Sequence, residues 1–306
     1  MSVTLPDELK FIQNARAPQN ISTASLDGKV CVITGTTSGI GLVTAHRLAA
    51  FKAHLVMIVR NREKGEHLQK EIKEKYNTEC DLFIADFSRF EDVRNVAAGM
   101  KENYEKIDVL ILNAGTFLQR KQFTDEGIEK VFHVNHLSPF LLIGLLKDKL
   151  IHSAPARVLT VNSEGHRFSR TLVEDLEWKR HLYTGLRSYG NAKTAQLLCM
   201  QKFSHLFEGT GVTINSMHPG EVKSNIGNEN SGAYRFYSKH ILSHFLKDPR
   251  RSAEAIHYLV ADDRVLGVSG KFFNLTIEEV PAKHARDAVM MEKVWKKSCE
   301  LTHLNL

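Results

Sequence analysis

Cysteine is scarce in this sequence, and the few residues stand apart: Cys31, Cys80, Cys199 and Cys299 share no CxxC or Cys/His ligand spacing. The pattern argues against a disulfide framework and a zinc site, so reduced thiols and a reducing, cytoplasmic setting are expected. Fifteen histidines are scattered without an HExxH pair, and no metal is expected. Proline is sparse too, at seven residues, and no Gly/Ser/Pro-rich tract separates the periodic segments. Without a linker, the 306 residues read as a single domain, 28–306, behind a polar leader, 1–27. No apolar run approaches the ~18 residues of a spanning helix, and the leader has no continuous apolar core for a secretory signal. A soluble protein is expected, with peripheral membrane attachment left open.

Charge of one sign is not concentrated. Lys and Arg exceed Asp and Glu by 41 to 35, giving net +6, but the basic residues are dispersed. The densest spots, 70–75 and 293–297, read as solvated helix faces, so no nucleic-acid partner is expected.

What is present is an alternation of strand-like and helix-like runs. Residues 29–34 (KVCVIT), 54–59 (HLVMIV), 80–85 (CDLFIA), 107–112 (IDVLIL), 157–161 (RVLTV) and 212–217 (VTINSM) are short and mostly apolar. They read as strands buried on both faces, with a last strand near 271–274. Helical spacing fills 41–51, 62–76, 90–104, 127–150 and 189–207, and an amphipathic stretch at 285–302 predicts a terminal helix packed by Val289, Val294, Trp295 and Leu301. This alternation predicts an α/β fold, a Rossmann-type doubly wound parallel sheet.

Directly after the first strand comes TGTTSGIG, residues 34–41. Glycines at 35, 39 and 41 let the backbone turn tightly where strand becomes helix, and a helix N-terminus favours a pyrophosphate. A plain glycine turn is the blander reading, but the position behind the first strand favours a dinucleotide. An acid at the tip of the second strand binds a ribose 2′-hydroxyl, whereas an arginine there accommodates a 2′-phosphate. Here the tip carries Arg60, with Arg62 close behind and no acid, which favours NADP(H) over a merely solvated strand-end charge. Asp86 follows the third strand, placed to hydrogen-bond an adenine amino group. Asn113, Ala114 and Gly115 follow the fourth, at the edge where ligands bind.

Taken in order, TGTTSGIG, Asp86, LNAG (112–115), HVNHLSPF with Asn135, VNS with Ser163, YGNAK with Tyr189 and Lys193, and HPGEV with Pro219 and Gly220 resemble the short-chain dehydrogenase/reductase family. The resemblance spans nearly all of 29–274. VNHLSPFLL, HPGEVKS and VWKKSCELT are similar to its retinol dehydrogenase and protochlorophyllide reductase-like branch. The family's usual first Asn of NNAG is Leu112 here, and the usual Thr after PGxV is Ser224, which keeps a hydroxyl for the nicotinamide carboxamide. The resemblance implies an NADP(H) site made by Gly35, Thr37, Ser38, Gly39, Ile40, Gly41, Arg60, Asp86, Phe87, Asn113, Ala114, Gly115, Tyr189, Lys193, Pro219, Gly220, Val222 and Ser224. It also implies that Asn135, in the helix at 127–150, holds a water linking Lys193 to solvent. A homodimer or homotetramer through the helices at 127–150 and 189–207 is implied as well.

Hydride exchange between a nicotinamide and a carbonyl/alcohol pair needs a proton donor or acceptor beside the substrate oxygen. A free tyrosine, with a pKa of about 10, is a fair acid and a poor base. Lys193, one helical turn from Tyr189, is expected to lower that pKa and to bind the nicotinamide ribose. Ser163 is expected to donate to the same oxygen, a strand-end cap being its plainer role. His166 follows closely enough to border the substrate. Loops at 164–188, with Phe168, Leu172, Leu176, Trp178 and Tyr183, and at 221–247, with Tyr234, Phe236, Tyr237 and Ile241, are read as substrate loops. They suggest a lipophilic, retinal-like aldehyde or ketone, although 234–245 fits an amphipathic packing helix equally well. The expected function is thus an NADP(H)-dependent carbonyl reductase or alcohol dehydrogenase. A catalytically silent nucleotide-binding scaffold is the alternative, and a methyltransferase a third reading that has no use for the Tyr/Lys pair.

Overall fold

The structure is a computed structural model and describes residues 10–14, 17–220 and 248–306. Eight strands form its one sheet: β1 Val30–Thr34, β2 His54–Val59, β3 Cys80–Ile84, β4 Val109–Leu112, β5 Ala156–Val161, β6 Val212–His218, β7 Phe272–Asn274 and β8 Ile277–Glu279. Their spatial order is β3-β2-β1-β4-β5-β6-β7-β8. All pairs from β3 to β7 are parallel, and β8 closes the sheet antiparallel to β7. The chain reverses its direction of travel between β1 and β4, so the carboxyl ends of those strands frame a crevice.

The continuous apolar runs follow from burial on both faces. Along β1, Cys31 and Ile33 enter one cluster while Val32 enters the other, as the two-residue period of a strand requires. On the first face lie α1 (Gly39–Ala50), α2 (Arg62–Tyr76) and α6 (Arg250–Ala261), through Leu48, Leu68 and Ile256. The second face carries α3 (Phe90–Asn103), α4 (Ser138–His152), α5 (Gly185–Leu206) and α7 (Ala288–Thr302), through Met100, Phe140, Leu198 and Trp295. A single α/β domain of Rossmann type results.

Several boundaries differ from expectation for local reasons. The helix expected over 127–150 starts only at Lys130, because Gly127 takes φ 73° and the chain first makes a tight turn. It then passes through a π-turn at His133–Leu137 before α4, so Asn135 sits in that wider turn rather than in a regular helix. α5 begins earlier than expected, since the Thr184 side chain accepts from Arg187 N and caps it. That places Tyr189 and Lys193 well inside the helix. In α7, Val294 and Trp295 are buried and Leu301 is partly so, but Val289 is 70% exposed and does not pack. The leader is docked where described: a helical turn at Lys10–Asn14 reaches β8, with Asn14 Nδ2 donating to Glu279 Oε1 at 2.9 Å. Val222, Ser224 and the whole loop 221–247, with Tyr234, Phe236, Tyr237 and Ile241, lie outside the described residues.

Candidate active site

At the end of β1 the chain turns into α1 with Gly35 at φ 74° and Gly39 at φ 57°, backbone that a side chain rarely tolerates. A Cβ on Gly41 would stand 2.1 Å from the Gly35 carbonyl oxygen, so the turn closes only around glycine. The Thr34 hydroxyl accepts from the Asn113 and Ala114 N–H groups at 2.9 and 2.8 Å. In return Asn113 Nδ2 donates to the carbonyls of Thr34 and Gly35 at 2.9 and 3.1 Å. Ser38 starts α1 without a side-chain cap, which leaves the N–H groups of the first turn to a ligand. Thr37, Ser38 and Ile40 line this turn, partly buried, and Gly115 is exposed beyond it. This glycine cradle fits a dinucleotide pyrophosphate.

The tips of β2 and β3 bring Arg60 and Asp86 together. Burial pushes Asp86 upward, but bonds from the Ser88 N–H (2.8 Å) and O–H (2.7 Å), with the charges of Arg60 and Lys130, outweigh it and hold the carboxyl below its ordinary range. Phe87 is buried beside it, its carbonyl accepting from Ser138 Oγ at 2.6 Å. Pro219, past β6, is buried with its carbonyl held by Ser252 Oγ at 2.6 Å, and Gly220 follows at φ 82°.

Between these edges stand Ser163, Tyr189 and Lys193. Ser163 leaves β5 and caps the turn Glu164–Phe168, its Oγ accepting from Gly165 N at 3.0 Å. The cap role is therefore real, and because it uses a lone pair, the hydroxyl proton stays free. The Tyr189 ring and the Ser163 hydroxyl flank Gly165, where a Cβ would lie 3.1 Å from the ring and 3.3 Å from Ser163 Oγ, and the Phe117 ring meets the Tyr189 ring edge-on at 5.9 Å. Lys193 is buried and donates to the Val161 carbonyl at 2.8 Å. Burial pushes the Tyr189 phenol up to about 12, with the Ser163 hydroxyl pulling the other way, and pushes the Lys193 ammonium down to about 7. Burial thus sets the direction of both shifts in this site.

The Asn135 side chain bonds Thr116, accepting from the N–H at 2.7 Å and donating to the carbonyl at 2.9 Å, so it anchors the chain after Gly115. Its carbonyl accepts from Gln196 Nε2 at 2.9 Å, and Gln196 Oε1 accepts from Asn162 Nδ2 at 2.8 Å. Asn162 Nδ2 also reaches the Lys193 carbonyl at 3.0 Å. Gln196, Asn162 and Phe117 are site residues that the sequence reading missed; a glutamine among Ala195, Leu197 and Leu198 on a buried helix was the available signal. His166 is a correction. It is fully buried, with Nδ1 on the Ser163 carbonyl at 2.7 Å and Nε2 accepting from Ala282 N at 3.2 Å. Both ring nitrogens are taken, so His166 holds the Ser163 turn instead of bordering substrate. In the loop 164–188, Trp178 is buried against Tyr183 while Phe168 is 77% exposed.

Among the described residues no group of His, Cys, Asp or Glu could hold a metal ion, and no helix is long and apolar enough to cross a membrane. All four cysteines are free thiols.

The short chain dehydrogenase family profile matches residues 29–175. Human (Homo sapiens) retinol dehydrogenase 13 is 32% identical over 288 residues, covering 92% of this chain and 87% of that protein. A crystal structure of an uncharacterised protein from Mycobacterium paratuberculosis superposes with a TM-score of 0.74 at 26% identity, over 92% of this chain and 96% of that one. A short chain dehydrogenase from Burkholderia cenocepacia, solved in complex with NADP, shares the fold with a TM-score of 0.64 at 20% identity, over 81% and 96% of the two chains. With the glycine cradle and the Ser163, Tyr189 and Lys193 cluster at one sheet edge, these similarities place the chain in the short-chain dehydrogenase/reductase family of oxidoreductases, in its retinol dehydrogenase-like branch.

Proposed function

We propose that this chain is an NADP(H)-dependent oxidoreductase that interconverts a lipophilic aldehyde or ketone, of retinal type, and its alcohol. The observation that carries this reading is the convergence of the Ser163 hydroxyl, the Tyr189 phenol and buried Lys193, with Lys193 Nζ 5.7 Å from the centre of the Tyr189 ring. NADP(H), when bound, supplies or accepts the hydride. Gly35, Gly39 and Gly41 would cradle its pyrophosphate, Arg60 would pair with the 2′-phosphate, and Asp86 and Phe87 would border the adenine. Asn113, Ala114, Gly115, Pro219 and Gly220 would complete the rim, and the resemblance adds Val222 and Ser224 to the set. Arg60 with no acid at the β2 tip supports the phosphorylated cofactor, and the NADP complex of the Burkholderia relative agrees with it.

Ser163 donates its free proton to the substrate oxygen and fixes its orientation. Tyr189, protonated at neutral pH, gives its proton to that oxygen in the reductive direction and recovers it from the alcohol in the oxidative one. Lys193, poised near neutrality, becomes cationic where negative charge develops and holds the phenol's proton exchange in range. The Phe117 face offers apolar contact at the reacting end. The lipophilic class rests on this wall and on the retinol dehydrogenase relative. The test is a turnover screen with retinal, steroid ketones and medium-chain aldehydes, following loss of reduced-nicotinamide absorbance with NADPH against NADH. Turnover of the lipophilic carbonyls with NADPH is expected. Absence of turnover with any carbonyl, or equal use of NADH, would remove this reading.

A further inference from the structure

Beside the catalytic cluster lies a buried ionic group that the proposed reaction does not use. Arg167, in the turn that Ser163 caps, is ion-paired to Glu164 of the same turn and to Glu279 of β8, the latter at 3.1 Å. Side-chain exposures are 7% for Arg167, 12% for Glu164 and 1% for Glu279. The guanidinium also donates to the Val280 carbonyl at 3.2 Å and stacks on the Phe11 ring at 5.2 Å. Glu279 turns its other oxygen to Asn14 Nδ2. Resting on the reading of Ser163 given above, we propose that Arg167, Glu164 and Glu279 form a positioning clasp that locks the Ser163 turn and ties it to the helical turn Lys10–Asn14. The N-terminal segment is thereby part of the catalytic assembly.

Geometry makes the coupling direct. A Cβ on Gly165 would lie 3.1 Å from the Tyr189 ring and 3.3 Å from Ser163 Oγ, so the turn already touches both hydroxyl-bearing residues. A small displacement of it moves the Ser163 hydroxyl relative to the Tyr189 phenol, and misplacement by about 1 Å can slow a reaction on the order of 10²-fold. Buried charge groups of this kind add little stability but specify one arrangement when every member is engaged. Here two carboxyls share one guanidinium. Burial first, and Glu279 next to it, push Glu164 up to about 7 against the pull of Arg167. The remaining titratable neighbours are His218 at the end of β6, whose Nδ1 faces Glu164 N at 3.4 Å, and His166 and His284, the latter bonded to the His166 carbonyl at 2.7 Å.

The test uses the full chain with Phe11→Ala and Asn14→Ala together, which removes the outer contacts without stranding a buried charge. Amide hydrogen exchange over residues 163–169 in the protein alone is expected to accelerate by about tenfold or more. The kcat for the best carbonyl should fall by about fivefold or more while NADPH affinity, read by fluorescence titration, stays within about twofold. Arg167→Leu should lower kcat further, and Arg167→Lys should restore part of it. Unchanged exchange overturns the clasp, and so does faster exchange with unchanged kcat. If the native chain turns over no carbonyl, the proposed function falls, and exchange alone decides whether the clasp exists.

Discussion

Lys193 Nζ lies 5.7 Å from the centre of the Tyr189 ring and spends a hydrogen bond on the Val161 carbonyl, at 2.8 Å. The lysine is therefore oriented by β5 toward the phenol ring, and among the described residues no carboxylate pairs with it. Tyr189→Phe keeps the ring and its contact with Phe117 but removes the exchangeable proton. Turnover should drop by about 10³-fold or more, the range of a lost general acid, with NADPH affinity within about twofold. Steady-state kinetics beside fluorescence titration checks this.

Burying that lysine has a consequence for stability. Its folded pKa, near 7, lies below its ordinary 10.5, so between these values the unfolded chain holds a proton that the folded chain has released. Stability from this residue therefore rises as pH goes from 7 to 10.5, and the burial penalty is full below pH 7. Lys193→Met should raise Tm by roughly 2–6 °C at pH 6, with the gain shrinking toward pH 10, while turnover is lost. Thermal melts across pH decide it; a gain that grows with pH would contradict the assignment.

Gly41 offers a purely steric test of the dinucleotide cradle. An alanine methyl there would sit 2.1 Å from the Gly35 oxygen and 2.6 Å from Asn113 Nδ2, both fixed by the bonds between β1 and β4. Gly41→Ala should destabilise the fold by about 2 kcal/mol or more through overpacking and weaken NADPH binding by at least about tenfold. Denaturant melts and fluorescence titration measure the two effects separately.

How far these features were legible in the sequence depends on whether they are local. The strands of the parallel sheet announce themselves as apolar runs because both faces are covered, and the Tyr189/Lys193 pairing follows from the helical period alone. β8 does not: Ile277, Glu278 and Glu279 have no strand-like pattern and are paired by β7. The π-turn around Asn135 is likewise set by tertiary bonds to Thr116 and Gln196. Sequence spacing gives the Tyr–Lys distance but not the burial that pushes the phenol up and the ammonium down. His166 failed for the same reason: nearness to Ser163 in sequence said nothing about which way its ring is packed.

Arg60 stands exposed at the β2 tip, and its charge bears on Asp86. Arg60→Asp would replace a phosphate partner with a ribose-hydroxyl partner and set a like charge near Asp86. The ratio of kcat/KM for NADPH over NADH should fall by about 10²-fold, most of it as weaker NADPH binding. An unchanged ratio would show that another group reads the 2′ position.

The last test concerns assembly. The resemblance implies association through the faces of α4 and α5, yet the chain's own C-terminal segment covers them. Trp295 meets Phe140 and Phe203 edge-on at 5.0 and 4.8 Å, and Ser298 Oγ bonds His136 Nε2 at 2.7 Å. A Cβ on Gly144 would lie 2.5 Å from Leu304 and 3.1 Å from Leu306. With Trp295, Leu304 and Leu306 seated on these helices, less of their apolar surface is left for a second copy to bury, and light scattering should return a monomer near 34.6 kDa. Trp295→Ala should destabilise the fold by about 3–5 kcal/mol. Ending the chain before α7 would bare Phe140 and Phe203, and the shortened protein should associate or aggregate. A stable dimer of the full chain that survives Trp295→Ala would mean that copies meet through a different face.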